Sequence, residues 1–403
     1  MKKTLLAAAL TVGFFGVAQA ETSVTLYGIL DGGIGYQQIK GNTSRMETRT
    51  GATDAKYTKT GLINGIQSGN RWGLKGAEDL GDGLRAVFQL ESGFDLGTGN
   101  SAQGGRLFGR QATLGLASDA WGQLDLGRQT NIGSKYFGAI DPFSLGFAQA
   151  NMGAAFTAVN TVRMDNMVMY QTPNFSGFQF GVGYSFNVDG GQAWKQSGSD
   201  DTNKRAITTG LRYANGPLAV ALSYDQFKVK ATPSTTSTVG TVVVGGVTYP
   251  VTSTTAGTAS DTTVRAWNIG AAYDFEVVKA HLAFGQTRNG LFVGNDYGGN
   301  TAFKTPTFAG AEGLKVNSYM VGLSAPIGNG KILASWTMAD PTSAPDASPV
   351  GAEWKKQQTY SLGYTYGLSK RTNVYAIGSY AKNAYFLPDA KSTLIGLGLR
   401  HQF

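Results

Sequence analysis

The chain carries few residues suited to making or breaking bonds. It has no cysteine and two histidines, His281 and His401, which rules out thiolate nucleophiles, thiolate metal sites and a disulfide framework. Neither histidine has a nucleophile motif near it, no His/Cys cluster has ligand spacing, and Asp200-Asp201 reads as an acid pair in a loop. No phosphate-binding G-x-x-x-x-G-K-[ST] or dinucleotide fingerprint is present. The sequence therefore predicts no catalytic residue, no metal and no cofactor. What remains is a set of charges, chiefly Arg71, Lys75, Arg110, Arg163 and Asp165, whose effect depends on which way they point. Facing a narrow watery space, such groups act on passing ions through their field.

Direction follows from the elements that carry the charges. From Thr22 to Phe403 the chain falls into about sixteen segments of alternating apolar and small or polar residues, joined in turn by a short and a long connection. Phe178, Phe180, Val182, Tyr184 and Phe186 share one face of their segment, with Gln179, Gly181, Gly183 and Ser185 on the other. Side chains alternate faces along a strand, so the pattern predicts apolar residues towards lipid and polar ones towards a lumen. Arg71 and Lys75 lie opposite Trp72 and Leu74, hence inward; Arg163 lies opposite Val162, Met164, Val168 and Tyr170, hence inward too, with Asp165 two residues along. Arg110 shares parity with Leu114 and Leu116, so periodicity does not place it. Arg128 shares parity with Leu124 and Leu126, hence outward. At mid-depth in lipid that would cost about 2 to 4 kcal/mol, which points to a rim position or burial against another subunit.

The connections agree with this reading. Short turns are predicted at residues 78–83, 118–122, 173–176, 214–216, 274–276, 326–330 and 367–370, giving eight hairpins once the termini join. Long polar loops are predicted at 40–69, 93–105, 131–161, 187–203, 230–263, 288–315, 340–353 and 382–391, the Ser/Thr-rich 230–263 loop as a flexible surface segment. Glycine supplies 57 of 403 residues, suiting curved strands and an open lumen. Lys2 and Lys3, the apolar run Leu5 to Val17 and Ala18-Gln19-Ala20 predict a signal peptide over residues 1–20, leaving one β-barrel domain over 21–403. Mean hydropathy is −0.14, and no later segment has the apolar length of a spanning helix. Without Lys2 and Lys3 the formal charge of +8 becomes +6, and no basic cluster with interleaved aromatics suggests nucleic acid as a partner.

Several motifs in order resemble the trimeric general porins of Gram-negative (proteobacterial) outer membranes. They are Ser23-Val24-Thr25-Leu26-Tyr27-Gly28, Arg71-Trp72-Gly73-Leu74-Lys75-Gly76-Ala77-Glu78-Asp79-Leu80-Gly81, Leu126-Gly127-Arg128-Gln129, Tyr170-Gln171-Thr172-Pro173-Asn174-Phe175-Ser176-Gly177-Phe178, Leu368-Ser369-Lys370-Arg371-Thr372 and Gly398-Leu399-Arg400-His401-Gln402-Phe403. Each is weak alone, and the ordered set spans nearly the whole mature chain.

The resemblance implies an all-β, 16-stranded antiparallel transmembrane β-barrel with short periplasmic turns, long extracellular loops and a third loop, residues 131–161, folded inward. It implies a water-filled channel for passive diffusion of ions and small hydrophilic solutes, and no enzyme. The implied partners are two further copies in a homotrimer, outer-membrane lipid and lipopolysaccharide, and the outer-membrane assembly machinery, which would read the terminal Phe403. It places an arginine of the constriction at Arg110, so that Arg71, Arg110 and Arg163, supported by Lys75 and Lys135, would face Asp141 and Asp165. The inner loop is sparse in acid for the family, with Lys135 and Asp141 as its formal charges, and Met167 and Met169 stand where small or basic residues are more usual. Basic excess makes weak anion selectivity the expectation. The resemblance also puts Arg128 at the trimer interface, with Glu91 or Asp95 of a neighbour as its partner. The alternative is a substrate-specific channel, but inward aromatics such as Tyr27 and Tyr375 are scattered rather than laddered.

Overall fold

A computed structural model of the chain describes residues 23–42, 54–198, 201–231, 234–244, 247–256, 260–293, 297, 310–348 and 352–403. The expected signal peptide and Asp200 lie outside the described residues. The strands are β1 (Ser23–Asn42), β2 (Asp54–Asn64), β3 (Arg71–Gly81), β4 (Leu84–Gly93), β5 (Gln111–Ser118), β6 (Gly122–Thr130), β7 (Arg163–Gln171), β8 (Phe178–Ser185), β9 (Ala206–Asn215) and β10 (Leu218–Ala231). They continue with β11 (Ser234–Val244), β12 (Val247–Ala256), β13 (Ser260–Asp274), β14 (Lys279–Arg288), β15 (Lys315–Ile327), β16 (Gly330–Ser343), β17 (Gln357–Gly367), β18 (Thr372–Lys382) and β19 (Lys391–Gln402).

Hydrogen bonding joins seventeen of these segments into one sheet, closed by β1 against β19. The barrel nevertheless has sixteen staves, because β2 and β3 pair with successive stretches of the same edge of β1. Gly32 to Asn42 of β1 face β2, and Ser23 to Ile29 face β3. Residues 65–70 interrupt this one stave. All seven predicted short turns fall between antiparallel neighbours.

Alternation holds where the staves cross lipid. Phe178, Phe180 and Val182 are exposed on the outside while Gly181, Gly183 and Ser185 are buried inside. It fails as a guide above the membrane. The predicted 40–69 loop contains β2, whose residues 56–60 are exposed in succession, so neither face needs an apolar set and the strand leaves no period-two signal. The predicted flexible 230–263 loop contains the β11–β12 hairpin, built from Val and Thr, β-branched types suited to a pleated surface.

The core lies inside the barrel. A short helix, α1 (Ile132–Phe137), and three 3-10 turns of the third loop pack against the inner wall, burying Phe137, Ile140, Met152, Phe156 and Val159 with Met164, Met167 and Met169. The two methionines that departed from the family pattern, Met167 and Met169, thus fill the space behind the loop.

Among the described residues the β11–β12 hairpin pairs only with itself. Replacing residues 232–259 by a short glycine-rich turn is expected to leave single-channel conductance and resistance to heat denaturation unchanged, as read in planar bilayers and in gels of heated and unheated samples.

Candidate pore constriction

The third loop is held along its length by polar groups of the wall. Asn131 caps α1 by accepting from Ser134 N at 3.2 Å, and its own amide donates to Asp225 Oδ1 at 2.8 Å. The Ile132 amide donates to Thr208 Oγ1 at 2.9 Å. Further on, Ser318 Oγ donates to Ala155 O and Gln357 Nε2 to Ala154 O, both at 2.7 Å, and Ser392 Oγ donates to Gln149 Oε1 at 2.7 Å. His281 meets Ile140 O through Nδ1 at 2.8 Å and Ser324 Oγ through Nε2 at 3.0 Å. A carbonyl can only accept, so Nδ1 carries the proton and Nε2 accepts from the serine. The luminal histidine is a tether.

The loop fills the side of the lumen lined by β7 to β19 and leaves water the other side. There a cavity of about 890 Å³ is lined by Lys59, Arg71, Arg110 and Arg163, with Glu91 as its carboxylate and Asn64, Gln67, Gln89, Gln111, Asn151 and Asn160 among its amides. Arg110 Nε donates to Glu91 Oε1 at 2.7 Å with both side chains about 10% exposed. The second oxygen of Glu91 accepts from Tyr27 Oη at 3.0 Å, which in turn accepts from Gln89 Nε2 at 2.5 Å. Arg71 Nε donates to Gly69 O at 2.9 Å, and Arg163 Nε has no hydrogen-bond partner among the described residues. Among the described residues one carboxylate thus offsets one of four cations, and the rest of the wall is amides, hydroxyls, backbone and apolar side chains such as Ile63, Phe147 and Leu394.

The remaining expected residues lie elsewhere. Lys75 is luminal but sits in a second cavity of about 300 Å³ beside Asp125, Gln89 and Gln123, its ammonium 5.6 Å from the centre of the Tyr27 ring. Lys135 points at the wall, donating to Gln129 Oε1 at 3.1 Å, and burial pushes its ammonium down from the ordinary lysine range.

Asp141 does not face the arginines. It is 2% exposed and accepts from the amides of Leu145 at 2.8 Å, Phe143 at 3.2 Å and Met152 at 3.3 Å. Burial pushes its carboxyl up to about 6 against the pull of those donors. It shapes the loop, a role that a list of charges does not reveal.

Asp165 and Arg128 also need correcting. Strict alternation sets them on opposite faces, whereas they form an ion pair at 2.5 Å. Between the pairs Gly127 to Met167 and Gln129 to Met164 the register shifts, and Asn166 takes φ 47°. This bulge breaks the alternation on which the assignment rested. Arg106 joins the cluster, reaching Asp165 at 2.8 Å and Asp189 at 3.3 Å. The partner of Arg128 lies in its own chain. The acids expected to reach it from a neighbour are engaged within this chain, Glu91 by Arg110 and Asp95 by Asn64 Nδ2 at 2.6 Å.

Lys59 and Glu91 line the cavity and were missed. Lys59 sits in the stretch that read as loop, while Glu91 was legible by parity, since it and Gln89 oppose Phe88 and Leu90.

The sequence pattern of the Gram-negative porins matches residues 6–384. The chain belongs to that family. It is 54% identical to an outer membrane porin protein of Bordetella pertussis, over the full length of both chains. With outer membrane porin protein 32 of Delftia acidovorans it shares 32% over 95% of this chain and 90% of that one. Among solved structures, an anion-selective porin from Comamonas acidovorans is similar with TM-score 0.64 and 27% identity, covering 95% of this chain and all of that one. The protein is an outer-membrane porin, a multi-pass β-barrel enclosing a water-filled channel for ions and small hydrophilic solutes.

Glu91→Gln keeps the size of the side chain and removes the carboxylate of the cavity. The variant is expected to give a larger zero-current potential of anion-preferring sign in a KCl gradient than the parent channel, with conductance little changed.

Proposed function

We propose that this porin conducts small anions in preference to cations, weakly and most strongly at low salt, and performs no enzymatic step. The observation that carries the reading is the cavity wall, where among the described residues Lys59, Arg71, Arg110 and Arg163 stand against one carboxylate, that of Glu91. Low-dielectric walls focus the field of such an excess, raising local anion concentration and lowering that of cations. Screening weakens the effect, since the Debye length shrinks from about 30 Å at 0.01 M to about 10 Å at 0.1 M. The similar solved structure from Comamonas acidovorans is described as anion-selective, which supports the same sign. A sugar-type channel is less well supported, because among the described residues the cavity wall includes one aromatic ring, Phe147.

The working unit in this reading is a homotrimer. Aromatics that anchor a barrel at the membrane interfaces are exposed on β8 to β17, as at Phe178, Trp267, Tyr273, Tyr360 and Tyr366. Across β1, β5, β6 and β19 the exposed residues are mostly aliphatic, including Leu26, Ile34, Leu114, Leu126, Leu397 and Leu399. An aliphatic face suits tight packing against another copy as well as it suits lipid. Residues 1–20 are the proposed export signal, with lipopolysaccharide and the assembly machinery as further partners.

Replacing Arg71 and Arg163 together by Glu is expected to move the zero-current potential in a KCl gradient towards cation preference. A parent channel that already prefers cations would refute the proposed selectivity, and an unmoved double variant would show that these two residues do not govern the narrow zone.

Phe403 closes the last stave, its amide donating to Gly28 O and its carbonyl accepting from Gly28 N, both at 3.1 Å. Deleting it is expected to lower the amount of assembled porin in the outer membrane without lowering export. Equal assembled amounts of variant and parent would contradict the proposed recognition of this residue.

A further inference from the structure

Three cations stand side by side on the outside of the barrel, where the pore makes no use of them. In the ladder Arg265 of β13 pairs with Arg288 of β14, and Arg288 pairs with Lys315 of β15. Each shares the parity of exposed apolar residues on its own strand: Ile269 on β13, Leu282 on β14, and Val321 and Leu323 on β15. All three therefore point outward, at the end of the barrel that carries the long loop 288–315, with Arg265 and Arg288 exposed and Lys315 half-buried. Facing positions lie about 5 Å apart, and like charges directly opposite one another repel. Among the described residues none of the three makes an ion pair, and Asp340, on the next stave, is held by Lys356 at 2.9 Å.

The surface below the row is layered. Two residues nearer the middle of the membrane come neutral amides, where Gln286 Nε2 donates to Asn317 Oδ1 at 2.8 Å and Gln286 Oε1 accepts from Arg288 Nε at 2.7 Å. That second bond orients the guanidinium. Two residues further in, the Phe284 ring lies 5.3 Å from that of Trp267 and 5.0 Å from that of Tyr319, aromatic types that collect where a membrane meets water. The strand from Phe284 to Arg288 spans about 13 Å, so rings, amides and cations follow one another over the depth of a large lipid head group.

The layering exists at one end only. At the short-turn end the last outward positions of the same three strands are Tyr273, Ala280 and Ile327, none of them charged. A second row, Lys382, Lys391, Lys40 and Lys56, pairs in the same way across β18, β19, β1 and β2. It crosses the face proposed for contact with other copies, so the row on β13 to β15 carries the inference.

We propose that Arg265, Arg288 and Lys315 form a docking site for the phosphate groups of an outer-leaflet glycolipid of the lipopolysaccharide class. Gln286 and Asn317 meet its sugars, and the rings below meet its acyl chains. This site rests on the reading of lipopolysaccharide as a partner and supplies its place on the barrel. Neighbouring lipid phosphates repel and need cations from solution between them, whereas the row provides cations fixed to the protein. Lipid held here should therefore stay bound when divalent ions are chelated.

The test titrates the assembled porin, in detergent with EDTA, with diphosphorylated lipid A and with the same lipid after both phosphates are removed, counting bound lipid by native mass spectrometry. The parent is expected to bind the phosphorylated lipid about tenfold or more tighter than the other, and Arg265→Gln/Arg288→Gln/Lys315→Gln to lose about that factor. The charge-keeping variant Arg265→Lys/Arg288→Lys/Lys315→Arg should stay within about threefold of the parent. Parental affinity in the triple Gln variant, or equal binding of the two lipids by the parent, overturns the proposal. If the triple variant does not assemble, Arg288→Gln alone decides, with a loss of about threefold expected and parental affinity overturning the site. Displacement of the lipid by millimolar inorganic phosphate at constant ionic strength would also overturn it, by showing a site for the free ion. A parent that binds neither lipid sinks the partner reading together with the site, whereas lipid binding that the triple Gln variant leaves intact sinks the site alone.

Discussion

Lipid offers no hydrogen bonds to a backbone, and this requirement fixes most of what the molecule is. Each stave must pair on both edges, and the sheet must close, as it does through the pairing of β1 with β19 and the bonds between Phe403 and Gly28. Closure leaves an interior wider than its wall's side chains can fill. The chain fills it from within by sending residues 131–161 across the lumen instead of out to water. The outer surface then needs apolar side chains at alternate positions only, which is why a membrane protein can have a mean hydropathy as low as −0.14.

The filling is uneven, and that makes the channel. On the side of β7 to β19 the loop forms an apolar core with the wall, and little room for water remains. The other side keeps the amides and cations of β1 to β5, with Arg163, in contact with solvent. A symmetrical lumen would spread four cations around a wide ring. Here they share one wall of an 890 Å³ space, close enough for their fields to add. The Glu91 carboxylate lowers that sum by pairing with Arg110, and Tyr27 and Gln89 hold it in place.

Legibility followed the physical cause of each feature. Where lipid faces one side and water the other, as at Phe178 to Ser185, period two was plain and the staves and short turns could be read directly. β2 was missed because water bathes both of its faces. Arg71 and Glu91 were within reach of parity because their staves are regular at those points, whereas Arg163 lines the cavity although the shift in β7 lies between it and Val168 and Tyr170. Arg128 and Asp165 were not, since a single bulge between Gly127 and Gln129 cancels the rule that would place them. Asp141 shows a different limit. Its type and position in the loop suited a pore acid, yet its three backbone donors make it a cap for the loop's own turn, and nothing local in the sequence separates those roles.

The polar ties of the third loop explain why its apolar contacts alone would not define a channel. Phe137, Ile140, Met152 and Val159 could bury similar area after a small slide along the wall, because burial is nearly indifferent to direction. A hydrogen bond from Gln357 to Ala154 O or from Ser318 to Ala155 O has no equivalent one residue away, and each carbonyl left unpaired inside the barrel costs about 1 to 3 kcal/mol. Direction-dependent bonds therefore choose one seating of the loop among many of similar burial. The width of the passage and the distance between the loop and Arg71, Arg110 and Arg163 follow from that choice, so the conducting geometry depends on buried serines, glutamines and His281 as much as on the charges that ions meet.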